Sequence, residues 1–540
     1  MPREPEPNQG AAATPDRRPG SLLHPRPAAA AWLDRRLAPI DGLFNRIYTS
    51  EHNPLYKSGA LAITFLAVTL VTGIYLFLFY KVAEPYESVA RIDANWFGSL
   101  MRSAHRYSAD LAVLAVAIHA LKMVLSGRTW GPRALAWVTG LILLFVVLLC
   151  GWTGLIMAWD VQGQLVAIEG ARLADLLPVL SEPLSRSFAD PDGVGRAFFF
   201  MNLFLHVALP LGFIGLFWLH SSRVARAPLF PPKPIHRYAI GAVIVLSIIL
   251  PVPLPPAADL LAVSMEIPLD IFYAFWLPLA RSVPAWAHLL AWLTAATVAL
   301  SVPWWWRPRD REFSRSSVDE ARCSGCTQCY HDCPYEAITM VQRSVPSDLS
   351  EIVARVDPSL CVACGICSGS CAPMGVGPAG RTGRDQLRAT DEFIHQRNPA
   401  ADNVVLITCS HGLGSHPKLL SVPGVLPFAS GCSGSVHTSV IELLLRSGAG
   451  GVFVLTCPGR DCLYREGPQW LHERVYNDRE AELQPRVDKR RVRLAGFAAS
   501  EVDRATEALG AFRFELSELG EAAREQDVKL EFECEPVDVQ

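Results

Sequence analysis

The chain has 540 residues, enough for about three domains, and half of its residues are hydrophobic whereas only 19% are charged. A formal net charge of -3 argues against a nucleic-acid partner. Residues 1–31 are rich in Pro, Arg and Ala and have no apolar core, so they predict a disordered N-terminal arm rather than a cleaved signal peptide.

Long apolar runs follow the arm. Five of them approach the roughly 20 residues that cross a bilayer, and a shorter sixth follows the fourth; they lie near 58–80, 108–125, 135–158, 198–219, 238–250 (the sixth) and 284–303. Six spans would leave both termini on one side of the membrane. The flanking segments on that side hold 19 Lys and Arg, against eight on the other, which predicts a cytoplasmic C-terminal half. We therefore expect residues 32–306 to form an all-α, multi-pass domain in a bacterial or archaeal cytoplasmic membrane.

Two histidine pairs in these runs share one spacing. His105 and His119 are 14 residues apart on one run, and His206 and His220 repeat this spacing on another. Fourteen residues are close to four helical turns, so the members of each pair lie on one helix face, about 21 Å apart. Two such helices side by side would form two six-coordinate haem sites. A lone apolar-face histidine is more often a hydrogen-bonded core residue, but four at two equal spacings favour haem ligation.

Glycines repeat the same step. Gly59 and Gly73 lie 14 residues apart on the first run, and Gly140 and Gly154 do so on the third. A glycine removes a side chain where a flat macrocycle must approach the backbone. Small-residue helix packing in the bilayer is the alternative. The shared period favours haem clearance.

On these residues the region 32–306 resembles cytochrome b of the quinol-oxidising bc-type complexes. The resemblance implies a di-haem helical bundle with two b haems on the four histidines, and a haem-propionate contact for Arg102. It also implies that residues 153–160 turn into a loop helix at the outer quinone site, although Ala158 stands where the family usually has proline.

The loop between the fifth and sixth spans departs from that family. It keeps Pro268 but lacks the Pro-Glu-Trp-Tyr tetrad whose glutamate takes a quinol proton. We expect Asp270 or Glu266 to substitute, because a carboxylate beside a buried quinol can accept the proton. The alternative is that both are solvated loop acids.

Twelve of the 14 cysteines lie between Cys323 and Cys462, in a predicted compartment where disulfides are rare. Eight of them form two runs of Cys-x2-Cys-x2-Cys-x3-Cys, the spacing typical of a bacterial two-cluster ferredoxin, in which the fourth cysteine of each run serves the other cluster. Structural zinc has no use for two interleaved sets. The predicted [4Fe-4S] ligand sets are Cys323, Cys326, Cys329 and Cys371, and Cys361, Cys364, Cys367 and Cys333. An α+β ferredoxin domain is thus expected at 321–380, between linkers at 307–320 and 381–402.

From residue 403 onward, short apolar strands alternate with helices, which predicts a small α/β domain. Cys409 and Cys457 follow strands, and Cys432 and Cys462 lie in loops, so the four thiols are expected near one sheet edge, where ligands gather in such folds. Four thiolates suit either a further iron–sulfur cluster or zinc, and their spacing does not choose between them.

Residues 403–518 resemble the delta subunit of methyl-viologen-reducing hydrogenase, on the stretches 430–434, 448–452 and 457–464. The resemblance implies a [2Fe-2S] cluster on the four cysteines and electron transfer to a heterodisulfide-reductase-type flavoprotein. Three nearby histidines are expected to be polar loop residues rather than ligands: His411, His416 and His437. The acidic tail at 519–540 is expected to be solvated.

No stretch has a dinucleotide-binding fingerprint or a phosphate loop, so flavin or nicotinamide chemistry must belong to another subunit. The order of the sites along the chain predicts an electron-transfer path from the haems through the ferredoxin domain to the terminal domain. We expect an oxidoreductase subunit that links the quinone pool to a cytoplasmic flavoprotein, hydrogenase or heterodisulfide-reductase-like partner in a hetero-oligomer, with dimerisation through the membrane domain as one arrangement. The alternative is a redox-active membrane anchor of such a complex without its own quinone site.

Overall fold

The computed structural model describes residues 28–48, 52–178, 182–188, 194–222, 229–262, 270–306, 314–409, 412–459 and 462–533. The predicted N-terminal arm lies outside these residues, apart from its end, where the first helix begins. Glu266 and His411 also lie outside them.

The membrane half is mainly helical in its described part. Its helices are α1 (Ala28–Tyr48), α2 (Ser58–Phe79), α3 (Pro85–Asp93), α4 (Trp96–Leu125), α5 (Ala134–Ala158), α6 (Val161–Ala174), α7 (Arg196–Ser222), α8 (Lys233–Ile249), α9 (Leu277–Ser282) and α10 (Ala285–Trp305). Five helices of the described chain are long and apolar enough to cross a membrane: α2, α4, α5 with the turn before it, α7 and α10. The sixth predicted run forms the shorter α8.

The helix α4 begins twelve residues before the apolar run that predicts it, at Trp96 rather than at 108. Polar residues in its first half lower the local hydropathy, yet the helix starts cleanly because the Phe97 N–H donates to the side chain of Asn95 at 2.9 Å. In the bundle α2 packs against α4, and α5 packs against α7. These two helix pairs place the histidine-bearing helices beside the glycine-bearing ones.

The ferredoxin-like region consists of two short two-stranded sheets around cysteine loops. Its elements are β1 (Ser316–Val318), α11 (Gln328–His331), β2 (Ile338–Gln342), β3 (Ile352–Val356), α12 (Ile366–Gly369) and β4 (Val376–Pro378). β1 pairs antiparallel with β4, and β2 pairs antiparallel with β3. Because β1 is part of this pairing, the region starts within the predicted linker 307–320.

The C-terminal region is an α/β domain built on a four-stranded parallel sheet in the order β6-β5-β7-β8. Its elements are α13 (Gly383–Arg397), β5 (Val404–Cys409), α14 (Pro417–Leu420), β6 (Val425–Ser430), α15 (Thr438–Arg446), β7 (Gly451–Thr456), α16 (Gly467–Tyr476), β8 (Val492–Gly496) and α17 (Val502–Glu533). Successive residues of β5 enter opposite cores: Val405 and Ile407 join one, Val404 and Leu406 the other. The domain therefore has three layers, with apolar cores on both faces of the sheet.

The segment predicted as the linker 381–402 contains the helix α13. Thr382 and Asp385 form a reciprocal capping box at its start. Phe393 of this helix packs edge-to-face on Phe428 of β6, with ring centroids 5.1 Å apart. The helix is therefore part of the α/β domain, and it also joins this domain to the ferredoxin-like region. Likewise, α17 continues into the segment predicted as the acidic tail.

Candidate cofactor-binding sites

The structure brings the predicted histidines together in two facing pairs. The rings of His105 on α4 and His206 on α7 have centroids 6.5 Å apart. His119 and His220, on the same two helices, line one cavity further along the bundle. We call the end with His119 and His220 the cluster end, because this cavity also touches the soluble half, and we call the other end the distal end.

Hydrogen bonds at Nδ1 orient three of the four imidazoles. His105 Nδ1–H donates to the carbonyl of Thr69 at 2.9 Å. His206 and His220 have Nδ1 within 3.0 and 3.1 Å of the hydroxyls of Thr153 and Thr139, whose own protons are donated to backbone carbonyls. With Nδ1 engaged in this way, Nε2 is the nitrogen left for a metal, an arrangement that second-shell partners of ligating histidines commonly enforce.

The four glycines make room for the imidazole rings themselves. A Cβ added at any of them would lie 2.9–3.1 Å from a ring atom, closer than side chains normally approach; the pairs are Gly59 with His119, Gly73 with His105, Gly140 with His220 and Gly154 with His206. Sequence reasoning predicts clearance for a macrocycle, and the structure shows that the rings need the space as well. Facing imidazoles with oriented Nδ1 atoms and a glycine behind each ring fit bis-histidine haem ligation.

Arg102 lies near the distal end, three residues before His105. Its Nε donates to Asp93 at 2.9 Å, and its terminal nitrogen donates to the carbonyl of Val252. The side chain is therefore already held by an ion pair and a backbone acceptor. A contact with a haem propionate, as the resemblance implies, stays a prediction.

Asp270 is buried in an ion pair at the distal end. Arg106 donates to its carboxylate at 2.5 Å, and the N–H groups of Phe272 and Tyr273 each donate at 2.9 Å. Burial by itself would raise the pKa of Asp270, but the ion pair and the two N–H donors outweigh burial and lower the pKa below its usual value. The carboxylate is thus held in its ionised form, as a weak base.

The same loop fills the space between α4 and α5. The Tyr273 hydroxyl donates to the carbonyl of Ala109 at 3.0 Å, and its ring lies against Gly151, where an added Cβ would be 2.0 Å from the ring. Trp152 donates to the carbonyl of Tyr273 at 2.7 Å. Only glycine at position 151 permits this packing.

The eight cysteines of the two runs share one region. All are buried except Cys323 and Cys326. Backbone N–H groups point at their sulfurs: Gly375 donates to Cys371 at 3.2 Å, and Ala337 donates to Cys333 at 3.4 Å. Hydrogen bonds of this kind stabilise thiolates and tune the potential of a bound cluster. The donor set and its burial fit iron–sulfur ligation.

The third set of cysteines lies at the carboxyl ends of parallel strands. Cys409, Cys432, Cys457 and Cys462 are buried and pack together with Cys364 of the second run. The sulfurs of Cys409 and Cys457 are 3.4 Å apart. Four buried thiols at one sheet edge form a donor set that suits either an iron–sulfur cluster or zinc.

The neighbouring histidines have structural partners. His437 Nε2 donates to the carbonyl of Cys371 at 3.2 Å, and its Nδ1 accepts from the Ser439 N–H at 3.1 Å. Burial, and then the charge of Arg474, lower the pKa of His437 to about 4, so the ring is neutral. His416 accepts from the Lys418 N–H at the start of α14. Both histidines act as helix caps.

Two junctions that sequence reasoning missed join these regions. In the α4–α5 turn, Arg128 donates to the carbonyl of Cys462, and Arg133 donates to the carbonyl of Leu463 at 3.1 Å and stacks 5.2 Å from the ring centroid of Tyr335. The sequence marks this turn only as a positively charged flank.

The second junction lies between the ferredoxin-like and α/β regions. Asp332 is fully buried and pairs with Arg479 at 2.5 Å and Arg474 at 3.6 Å, and Arg474 also donates to Ser370 at 3.0 Å. The sequence signal that could have indicated this junction is the charged residue Asp332 inside a cysteine run.

Comparisons with known proteins match three regions of the chain to three family models. Residues 44–226 match cytochrome b/b6/petB, residues 322–375 match a 4Fe-4S dicluster domain, and residues 418–520 match the delta subunit of methyl-viologen-reducing hydrogenase. The three resemblances predicted from the motifs are thus confirmed. Among solved structures, a chain of a hyperthermophilic respiratory Complex III aligns with a TM-score of 0.34 and 19% identity over 51% of this chain and 82% of that one; a likeness this weak supports no assignment.

These matches make the chain an integral membrane redox protein with a cytochrome b region, for which the family implies haem b, and a dicluster ferredoxin region, for which it implies iron–sulfur ligation. The match to a hydrogenase delta subunit at residues 418–520 further supports a role in electron transfer.

Proposed function

We propose that this chain carries electrons between the membrane quinone pool and a soluble hydrogenase or heterodisulfide-reductase-like flavoprotein complex, with its soluble half in the cytoplasm. One observation carries the proposal: a single cavity of about 1950 Å³ is lined both by His119 and His220 and by Cys457 and Cys462. Residues that would hold a haem and residues that would hold a cluster therefore face the same space. Haem iron and iron–sulfur clusters, when bound, supply one-electron redox chemistry.

Each proposed cofactor would be held by a different set of residues in the chain. The two facing histidine pairs would hold two b haems, the two ferredoxin-type runs would hold two [4Fe-4S] clusters, and the third cysteine set would hold one [2Fe-2S] cluster. Threonine and backbone acceptors at Nδ1 orient the imidazoles, and ten of the twelve cysteines of the three sets are buried, which excludes water from their thiolates.

A quinone site at the cluster end is supported by the size of the cavity. Ligand pockets are typically about 300–1,000 Å³, so a cavity of about 1950 Å³ has room for a second ligand beside a haem. Asp41 and Lys57 line its wall, so polar side chains border the space proposed for the quinone. At the distal end Asp270 would serve as a proton acceptor only in a state in which its ion pair with Arg106 opens.

The packing of the distal loop favours a second candidate function. Asp270 is paired, and the Tyr273 ring fills the space beside Gly151. In this alternative the membrane half is a redox-active anchor for a soluble complex and has no quinone site of its own.

A quinol analogue added to the purified, fully metallated protein tests the proposal. We expect the b-type α band to appear on reduction. His206→Ala should remove one haem and abolish quinone-linked turnover, whereas the control His236→Ala, on α8 outside the pairs, should keep both haems. Failure of the unmodified protein to reduce its haems, with partner activity and membrane attachment intact, would favour the anchor.

A further inference from the structure

We propose that the third cysteine set lies between the membrane haems and the ferredoxin-like region, so that the ferredoxin run around Cys326, and not the terminal domain, is where the soluble redox partner exchanges electrons. This inference rests on the proposed function for the existence of a soluble partner, and it reverses the order that the sequence suggests. In the chain, the ferredoxin runs come between the histidines and the third set. In space, the third set comes first.

The cavity at the cluster end gives the first step of this order. Cys457 and Cys462 line it together with His119 and His220. The eight ferredoxin-type cysteines, all of them in the described part of the chain, are not among its lining residues. The third set is therefore the one of the three sets whose cysteines line the same cavity as His119 and His220.

Direct contacts hold the third set against the membrane half. Arg128, which follows α4, donates to the backbone carbonyl of Cys462 itself, and Arg133 donates to the carbonyl of the next residue, Leu463, at 3.1 Å. Both arginines lie in the turn between the helix that carries His119 and the helix that carries Gly140. The turn that closes the histidine site thus also positions a cysteine loop.

The second step is the contact between the third set and one ferredoxin run. Cys364 packs into the same buried cluster as all four cysteines of the third set, together with Val362 and Ile366. The Ile366 side chain lies 3.6 Å from where a Cβ would stand on Gly467, and that position is 3.3 Å from the sulfur of Cys432. Cys364 belongs to the set Cys361, Cys364, Cys367 and Cys333, which is therefore second in the order.

The remaining set faces outward. Cys326 is exposed and Cys323 is partly exposed, whereas the other ten cysteines of the three sets are buried. The neighbours of Cys326 in the chain are Ser324, Gly325 and Thr327, which carry no charge and no bulky side chain, and Arg343 reaches this run by donating to the carbonyl of Cys323. An exposed cysteine with small chain neighbours allows close approach by another protein. The partner that fits is a soluble protein with a one-electron cofactor near its own surface.

The order is tested with reduced flavodoxin as a soluble one-electron donor protein, mixed with the full-length protein in nanodiscs. Each donor molecule is oxidised by one electron, and one ferric haem is finally reduced to ferrous; no bond is made or broken in the chain. Haem reduction is followed by the α band, and the cluster signals are followed by low-temperature electron paramagnetic resonance. Quinone is absent, so failure of the proposed quinone link does not affect this assay.

Cys432→Ala removes a ligand of the third set. We expect flavodoxin still to reduce the two ferredoxin-type clusters, while haem reduction falls to the background rate of a mixture without flavodoxin. Cys326→Ala should slow reduction of both the third set and the haems. The proposal is overturned if haem reduction in Cys432→Ala keeps its unmodified rate, or if Cys432→Ala abolishes reduction of the ferredoxin-type clusters while Cys326→Ala leaves reduction of the third set unchanged.

A second variant keeps every cysteine. The double change Arg128→Ala and Arg133→Ala should retain the full iron content and slow haem reduction without slowing reduction of the ferredoxin-type clusters. Arg186→Ala is the matched control, since this arginine is 73% exposed and lies far from the junction in sequence. Equal rates of haem reduction in the junction variant and the control would contradict the proposed position of the third set.

Discussion

The ferredoxin-like region and the α/β domain hold neighbouring cysteine sets but build their cores from different materials. In the ferredoxin-like region five of the nine buried core residues are cysteines. In the α/β domain two apolar clusters of 15 and 10 buried residues pack on the two faces of the sheet, and neither contains a cysteine. The first region thus depends on its ligands for a core, whereas the second folds around aliphatic side chains and carries its cysteines at one edge.

Removal of iron should separate the two regions most strongly. With a chelator under oxidising conditions, we expect amide exchange to become fast in β1 to β4, because the thiols would have no apolar core to replace the clusters. The strands β5 and β7 should stay protected. Hydrogen exchange measured by mass spectrometry checks this, and equal loss of protection in both regions would refute the comparison.

The buried ion pair between the two regions should have the next largest effect. Arg474→Ala leaves the buried carboxylate of Asp332 with Arg479 as its remaining cationic partner and removes the hydrogen bond to Ser370. Loss of one member of a buried pair costs about 3–5 kcal/mol, and we expect the lower end here because Arg479 remains.

Denaturant unfolding followed by circular dichroism measures this cost. Arg490→Ala is the control: its pair with Asp488 is exposed, so the change should cost far less than Arg474→Ala. Similar values for the two variants would show that the junction contributes little.

A glycine contact inside the α/β domain should have an intermediate effect. A Cβ on Gly434 would lie 2.2 Å from the Cα of Gly467, so Gly434→Ala must push two backbone segments apart, at a cost of about 1–3 kcal/mol. Gly510→Ala is the opposite case, because nothing lies within 4 Å of its added Cβ in α17. It should stabilise the domain by about 0.5–1 kcal/mol. Thermal unfolding measures both changes: the Tm should fall for Gly434→Ala and rise for Gly510→Ala. A shift of both Tm values in the same direction would contradict the packing.

The smallest effect is expected at the helix between the two regions. Thr382→Ala removes the cap of α13, where Thr382 accepts from the Asp385 N–H at 3.3 Å, and should cost about 1 kcal/mol. Thr382→Ser keeps the hydroxyl and should stay close to the unmodified protein in the same unfolding measurement. If the two variants are equally stable, α13 does not depend on its capping box.

Features with a local cause could be predicted from the sequence. The 14-residue step of the histidines and glycines follows from helix geometry, and the structure pairs His105 with His206 and puts Gly154 behind His206. The spacing within each cysteine run likewise determines the local loop that carries its cysteines. The capping box at Thr382 was also a local signal, but polar residues in α13 gave the segment the composition of a linker.

Features that depend on docking could not be predicted in this way. The contact of Arg128 with Cys462 joins residues 334 positions apart, and that of Asp332 with Arg479 joins residues 147 apart. No periodicity or spacing reports such a contact, because its free energy arises only when two complete regions meet. The engagement of Asp270 by Arg106 across 164 positions is of the same kind.

Arg128 and Arg133, the two arginines after α4, hold the soluble half against the bilayer-embedded half. A domain that had to diffuse between its electron donor and its electron acceptor would slow turnover as the viscosity of the medium rises. A soluble half held in place by these contacts does not have to move between the haems and its partner. Electron exchange between the haems and the nearest cysteine set should therefore be insensitive to added glycerol, and any viscosity dependence of turnover would arise from the visiting protein alone.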